Sequence, residues 1–160
     1  MDTKSPKDYN FVEISADDSM RDTHAIIRYI HSLDHRHEPL VQPILTPRFA
    51  LSCSRKLLAR LGSLAEKEPT LHIQTHISEN EDEVSEVLKS FKEASTYAEV
   101  YDICGLLREN TILGHAVHLT KDEVELIKRR GAGISHCPTS NFNLIVVLHR
   151  LDITWIGESR

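Results

Sequence analysis

Apolar residues fall along this chain in two alternating rhythms, one spaced by three and four residues and one in short unbroken runs. Met20, Ile26, Ile27, Ile30 and Leu33 make a helical stripe, opened by Ser15 with Asp18 three residues on in a capping-box-like spacing. The charged stretch Asp34–Glu38 before Pro39 ends that helix, and the run Leu40–Leu45, closed by Thr46-Pro47, predicts a buried strand. A second helix begins after Ser52 or Ser54, with Leu57, Leu58, Leu61, Leu64 and Ala65 as its stripe. The next strand is expected over Leu71–Ile77. A helix carrying Val84, Val87, Leu88 and Phe91 follows it, then a further helical piece over Tyr97–Leu107. Thr111–Val117 predicts another strand. Thr120 and Glu123 box the start of the helix after it, and Gly131 marks its end. Ala132–His136 and Ile153–Ile156 complete the strand expectations.

Short apolar strands alternating with helices of about 10 to 15 residues imply repeated βα units and a parallel sheet. About four or five strands are half to two-thirds of a (β/α)8 barrel, and a whole barrel takes about 250 residues. With 160 residues, the expected fold is α/β, an incomplete (β/α)8 TIM-type barrel. Residues 1–11 read as a polar N-terminal tail and residues 12–160 as one partial barrel domain.

Composition narrows the field by exclusion. A net charge of -5 and the lack of a basic stripe argue against nucleic acid as a partner. The longest apolar run, Leu144–Leu148, is far short of the roughly 18 residues of a membrane span. Met1–Tyr9 is polar and has no signal-peptide core, so a cytoplasmic protein is expected. Cys53, Cys104 and Cys137 lie far apart with no C-x-x-C pair, which reads as free thiols in a reducing compartment.

In parallel βα proteins function collects at the C-terminal ends of the strands. Here those ends deliver Arg48 and Phe49, then His76 and Glu79, then His115, then His136 and Cys137 with Asn141 behind them. Three successive strands ending in histidine is the main chemical signal. Period-2 geometry puts Ile73, Thr75 and Ile77 on one side of the second strand, toward helices, and His72, Gln74 and His76 on the other, toward a cleft. His76 and His115 are the candidate metal ligands, and Glu79 stands within reach of a metal-bound water. Arg48 beside Phe49 offers a guanidinium fork and an aromatic face to a planar ligand. His72 fits a structural role, and His118 and His136 fit loop positions. His24, His31, His35, His37 and His149 read as surface or helix-face residues.

The same residues carry a family resemblance. Thr46-Pro47-Arg48-Phe49 with Ser52-Cys53-Ser54, then Leu71 to Asn80, Gly114-His115 with Leu119-Thr120, and Ser135-His136-Cys137-Pro138 with Ser140-Asn141 occur in the order seen in guanine deaminases of the amidohydrolase superfamily. The chain resembles them over roughly Val12 to Leu144, the middle-to-late βα units of the barrel. The resemblance implies zinc-dependent hydrolysis of guanine to xanthine and ammonia, one Zn2+ per intact site. It makes His76 and His115 two of the zinc ligands, Glu79 the catalytic proton shuttle, and Arg48, Phe49, Gln74 and His76 the substrate contacts. It also implies a small-molecule substrate and a homodimer, while the open sheet edges of an incomplete barrel allow association with a full-length subunit.

The family's remaining ligands, an H-x-H pair on the first strand and an Asp in a Gly-Thr-Asp segment after the eighth, have no match. His35-Arg36-His37 has the spacing but follows a helix, and Glu158-Ser159-Arg160 stands where the Asp segment is expected. The chain is therefore expected to be a partial enzyme, inactive alone. Other readings are an amidohydrolase or aminohydrolase of a different heterocycle, and a non-catalytic partial subunit.

Overall fold

The computed structural model describes residues 2–3, 12–33 and 40–143. Helix α1 (Ala16–Leu33) precedes strand β1 (Ile44–Leu45), a short 3-10 turn (Ala50–Ser52) and helix α2 (Arg55–Lys67). Strand β2 (His72–Ile77) is followed by helices α3 (Glu81–Ser90) and α4 (Tyr97–Ile103), strand β3 (Thr111–His115), helix α5 (Lys121–Arg130), strand β4 (Gly133–Ser135) and helix α6 (Pro138–Asn143). The four strands form one sheet in the order β1-β2-β3-β4, every pair parallel. Sequential order with parallel pairing is the βα repeat that the alternation of strand and helix patterns predicts.

The helices start where short polar side chains can take up their first free N–H groups. Ser15, Ser54, Asn80, Thr96 and Thr120 each accept from a backbone amide three residues on, at 2.8 to 3.3 Å. Each such cap contributes about 1 kcal/mol. At α5 the box closes in both directions, because Glu123 Oε2 also accepts from the Thr120 amide at 2.8 Å. The other oxygen of the buried Glu123 carboxylate accepts from the Ala98 amide at 3.1 Å and ties α5 to α4.

The core lies on one side of the sheet. Leu45, Ile73, Thr75, Ile77 and Leu113 are buried against α2, α4 and α5, where Leu57, Leu58, Tyr97, Tyr101 and Ile127 meet them. The opposite face carries Ile44 and Ile112, which are 45% and 40% exposed, with His72, Gln74 and His76 between them. A parallel sheet covered on both faces reads as continuous apolar runs. Here β2 alternates, with Ile73, Thr75 and Ile77 buried and His72 exposed, so among the described residues the second face is uncovered. This is the two-sided division expected from the sequence.

Several boundaries differ from expectation. Only Ile44 and Leu45 of the run Leu40–Leu45 pair as a strand; Pro43, just before them, has no N–H to give a ladder. Strand β3 stops at His115 rather than Val117 because His115 and Ala116 both turn to positive φ. Helix α4 ends at Ile103, and β4 covers Gly133–Ser135 rather than Ala132–His136. The expected stripe of α1 is half correct: Met20 and Ile27 are buried, but Ile26 and Leu33 are exposed because no described element covers them. Of the expected tail, Asp2 and Thr3 are docked. Asp2 accepts from the Ser54 amide at 2.7 Å and from its hydroxyl at 2.5 Å, and Thr3 donates to the Leu51 carbonyl at 2.8 Å. The carboxylate sits at the start of α2, where the helix dipole favours it. The expected strand Ile153–Ile156, residues His35, His37 and His149, and the Glu158–Arg160 segment lie outside the described residues.

Candidate functional site

The C-terminal ends of β2 and β3 turn sharply, and that is where the chemistry gathers. Ser78, His115 and Ala116 have φ of 49°, 68° and 56°. Non-glycine residues in this region cost about 1–3 kcal/mol each and persist where surrounding structure holds them. Here the backbone is held by its own bonds. Ala116 N–H donates to the Ile77 carbonyl at 2.9 Å, and Val117 and His118 amides both donate to the Ser78 carbonyl at 3.1 Å. His115 pairs in register with Ile77, which faces the helices. Its positive φ accompanies a side chain that instead meets His76, with ring centroids 5.2 Å apart and planes tilted by 39°.

Both imidazoles are oriented through Nδ1. His76 Nδ1 lies 2.6 Å from the Arg48 carbonyl, which also accepts the His76 amide at 3.1 Å. A carbonyl only accepts, so this nitrogen carries the proton and Nε2 is left with its lone pair. His115 is buried, and its Nδ1 lies 2.9 Å from Oδ1 of the buried Asn141. That contact again leaves Nε2 as the free nitrogen, and Glu79 Oε1 lies 3.5 Å from it. A lone pair and a carboxylate oxygen facing each other across that gap want a proton or a cation between them.

Metal-binding histidines usually have this second hydrogen bond on the far nitrogen. The donor set of His76 and His115 therefore fits two positions of a metal site. A catalytic zinc site has about three protein ligands and an open position. Among the described residues no three His, Cys, Asp or Glu side chains converge to hold a metal ion.

The rim is the loop after β1. The Arg48 guanidinium carbon lies 5.9 Å from the centre of the Phe49 ring, and Arg48 is exposed while Phe49 is half-buried. Gln74 shares the uncovered face of β2 with His76, one pleat away, and is half-buried. Thus His76, His115 and Glu79 come together directly, Arg48 joins them through its carbonyl, and Phe49 and Gln74 flank them. His72 is exposed at the start of β2. His118 sits in the turn after β3 with Nδ1 3.7 Å from Glu81, and His136 is exposed just past β4. Burial pushes the Cys53 and Cys104 thiols up.

Two residues of the site act through contacts that only the fold brings about. Asn141 orients His115, although sequence spacing alone gave it no partner. Gly114 pairs with His76, and a Cβ there would lie 3.1 Å from His76 Cδ2; the missing side chain makes room for the ring. A glycine directly before a strand-end histidine was the available signal.

No helix among the described residues is long and apolar enough to cross a membrane. The amidohydrolase family model matches residues 3–153. A probable guanine deaminase of Schizosaccharomyces pombe is 50% identical over 141 residues, covering 88% of this chain and 26% of that protein. The crystal structure of guanine deaminase from C. acetobutylicum with guanine bound in the active site superposes with a TM-score of 0.80 at 41% identity, covering 90% of this chain and 33% of that one. The E. coli guanine deaminase gives 0.84 at 28% identity, covering 97% and 34%. The chain spans about a quarter to a third of the length of the relatives it matches.

Proposed function

The chain belongs to the amidohydrolase family, and from that premise we propose that it is the middle section of a guanine deaminase barrel, which hydrolyses guanine to xanthine and ammonia. One observation carries the reading: His76 and His115 present free Nε2 atoms at adjoining strand ends, with Glu79 3.5 Å from one of them. The guanine-bound relative at 41% identity supports the choice of substrate.

His76 and His115 would hold zinc through Nε2; when bound, zinc supplies Lewis-acid activation of water. Glu79 takes a proton from the attacking water and delivers it to the purine and to the departing amine. Water adds to the amino-bearing carbon, the C–N bond breaks, and ammonia leaves. The Phe49 ring and the Arg48 guanidinium bind the planar purine at the rim, the ring by stacking and the fork by hydrogen bonds. Gln74, with both a donor and an acceptor, reads the purine edge from the sheet face. Among the described residues two imidazoles are fewer than the roughly three protein ligands of a catalytic zinc site, so these residues supply part of a site.

The test measures xanthine formation from guanine, with zinc, by this chain alone and by the chain co-expressed with flanking barrel segments of a relative. No turnover is expected alone and turnover in the assembly. Glu79→Gln should abolish that turnover with zinc content intact. An assembly that ignores guanine, or a Glu79→Gln variant that still turns over, overturns the reading.

A further inference from the structure

Directly behind the site, on the core side of the sheet, two tyrosines of α4 lie fully buried with stacked rings, 5.5 Å between centroids and 28° between planes. Phenylalanine would fill the same space without burying a hydroxyl, and an unpaired buried hydroxyl is costly. Each phenol has one proton to give. Tyr101 donates to the His76 carbonyl at 2.8 Å and accepts from the Thr75 hydroxyl at 2.9 Å; its oxygen lies 3.4 Å from that of Tyr97. Tyr97 donates to Glu83 Oε1 at 2.8 Å and accepts from the Ala50 amide at 3.3 Å. The second oxygen of Glu83 accepts from the Glu79 amide at 3.0 Å.

These bonds have a common direction. One end holds the backbone of Glu79, another the backbone of His76, and a third the amide of Ala50, next to Arg48 and Phe49. His76 and Glu79 lie three residues apart at the end of β2, whereas Ala50 belongs to the loop after β1, a full βα unit earlier in the chain.

We propose that Glu83 and the stacked pair Tyr97 and Tyr101 position the site, their hydrogen bonds holding the Glu79 turn, the His76 strand end and the Arg48–Phe49 rim in one register. Burial pushes both phenols well above their ordinary range, so they remain neutral donors across the working pH range. None of the three side chains is given contact with substrate; they act through Glu79 and His76, and the inference rests on the functional reading of those two residues.

The test compares Tyr97→Phe, Tyr101→Phe and Glu83→Gln, all close in volume to the parent, by backbone amide exchange and by the imidazole N–H signal of His76. In Tyr97→Phe and Glu83→Gln the Glu79 amide should exchange about tenfold faster, the loss of one ordinary hydrogen bond, while Leu113 in β3 is unchanged. In Tyr101→Phe the His76 Nδ1 proton signal should shift. Thr75→Ser, which keeps the hydroxyl, should leave both readouts at parent values. The proposal is overturned if Glu79 exchange and the His76 signal are unmoved, or if Leu113 accelerates by the same factor, which marks general loosening. Neither readout uses guanine or metal, so failure of the deaminase reading would show in turnover while these signals still reported on the positioning chain.

Discussion

Replacing Gly114 with alanine tests how firmly the His76 ring is held. The added methyl would lie 3.1 Å from His76 Cδ2 and 3.5 Å from the Thr75 carbonyl oxygen. Carbon–carbon contacts are comfortable at about 3.5–4.0 Å, so the ring must yield by roughly 0.4 Å or more. Its far side is already tied to the Arg48 carbonyl at 2.6 Å, and the His115 ring stands 5.2 Å away. Crowding of this kind costs about 1–3 kcal/mol, and breaking the Nδ1 bond adds about 0.5–1.5 kcal/mol. Against that, alanine restricts the unfolded chain and returns about 0.4–1 kcal/mol. The net expectation is a destabilisation of about 1–3 kcal/mol, read as a lower urea midpoint at unchanged slope, with the His76 imidazole signals displaced. A variant at least as stable as its parent, with those signals unmoved, would refute the claim that the ring is pinned.

Gly62 in α2 is a harsher case, since a Cβ there would overlap the Cys104 carbonyl oxygen in the backbone after α4. Gly62→Ala should cost about 3 kcal/mol or more, and a thermal midpoint within a degree or two of the parent would contradict the close packing of these segments. Glu123→Ala removes three bonds from the Ala98 and Thr120 amides and the Thr120 hydroxyl; the expected loss is about 2–3 kcal/mol by denaturant titration. Cys53, buried and with its thiol pushed up, should resist alkylation in the native protein and react at the rate of unfolding. Lys56 and Arg60 hold the Asp17 carboxyl below the usual range. Their contribution is present above the ordinary Asp value and fades as pH falls through the depressed one. Asp17→Asn should therefore lessen acid sensitivity, and added salt should mask the difference.

The repeated βα order was legible because α1, α2 and α5 announce their starts with Ser15, Ser54 and Thr120, and α2 its core face with a leucine-rich stripe. The β2 alternation, reading His72, Gln74 and His76 against Ile73, Thr75 and Ile77, even indicated which face stays open. What the sequence hid depends on neighbours in space. Nothing local marks the turn at His115 and Ala116, where strand propensity yields to bonds reaching back to Ile77 and Ser78. Ile26 and Leu33 follow the helical period faithfully, yet burial also needs an opposing surface, and none of the described elements supplies it. The candidate site divided along the same line. His76, His115 and Glu79 were visible as strand-end residues, whereas Asn141, Gly114 and the two tyrosines act across 25 or more positions of sequence or through an absent side chain.

The uncovered sheet face has a consequence for the strength of every charge interaction at the site. The Glu79 carboxylate and a unit positive charge about 3.5 Å from it attract by only about 1 kcal/mol at the dielectric constant of water and by about 5 kcal/mol at an effective value near 20. Solvent reaching the half-buried Glu79 across the open face lowers such an attraction toward the first figure, and mobile ions weaken it further. Any wall laid over Ile44, Gln74 and Ile112 would expel water and raise the local field severalfold without moving one atom of the histidines or the carboxylate. The solvent boundary is thus as much a determinant of this site's chemical power as the identity of its residues.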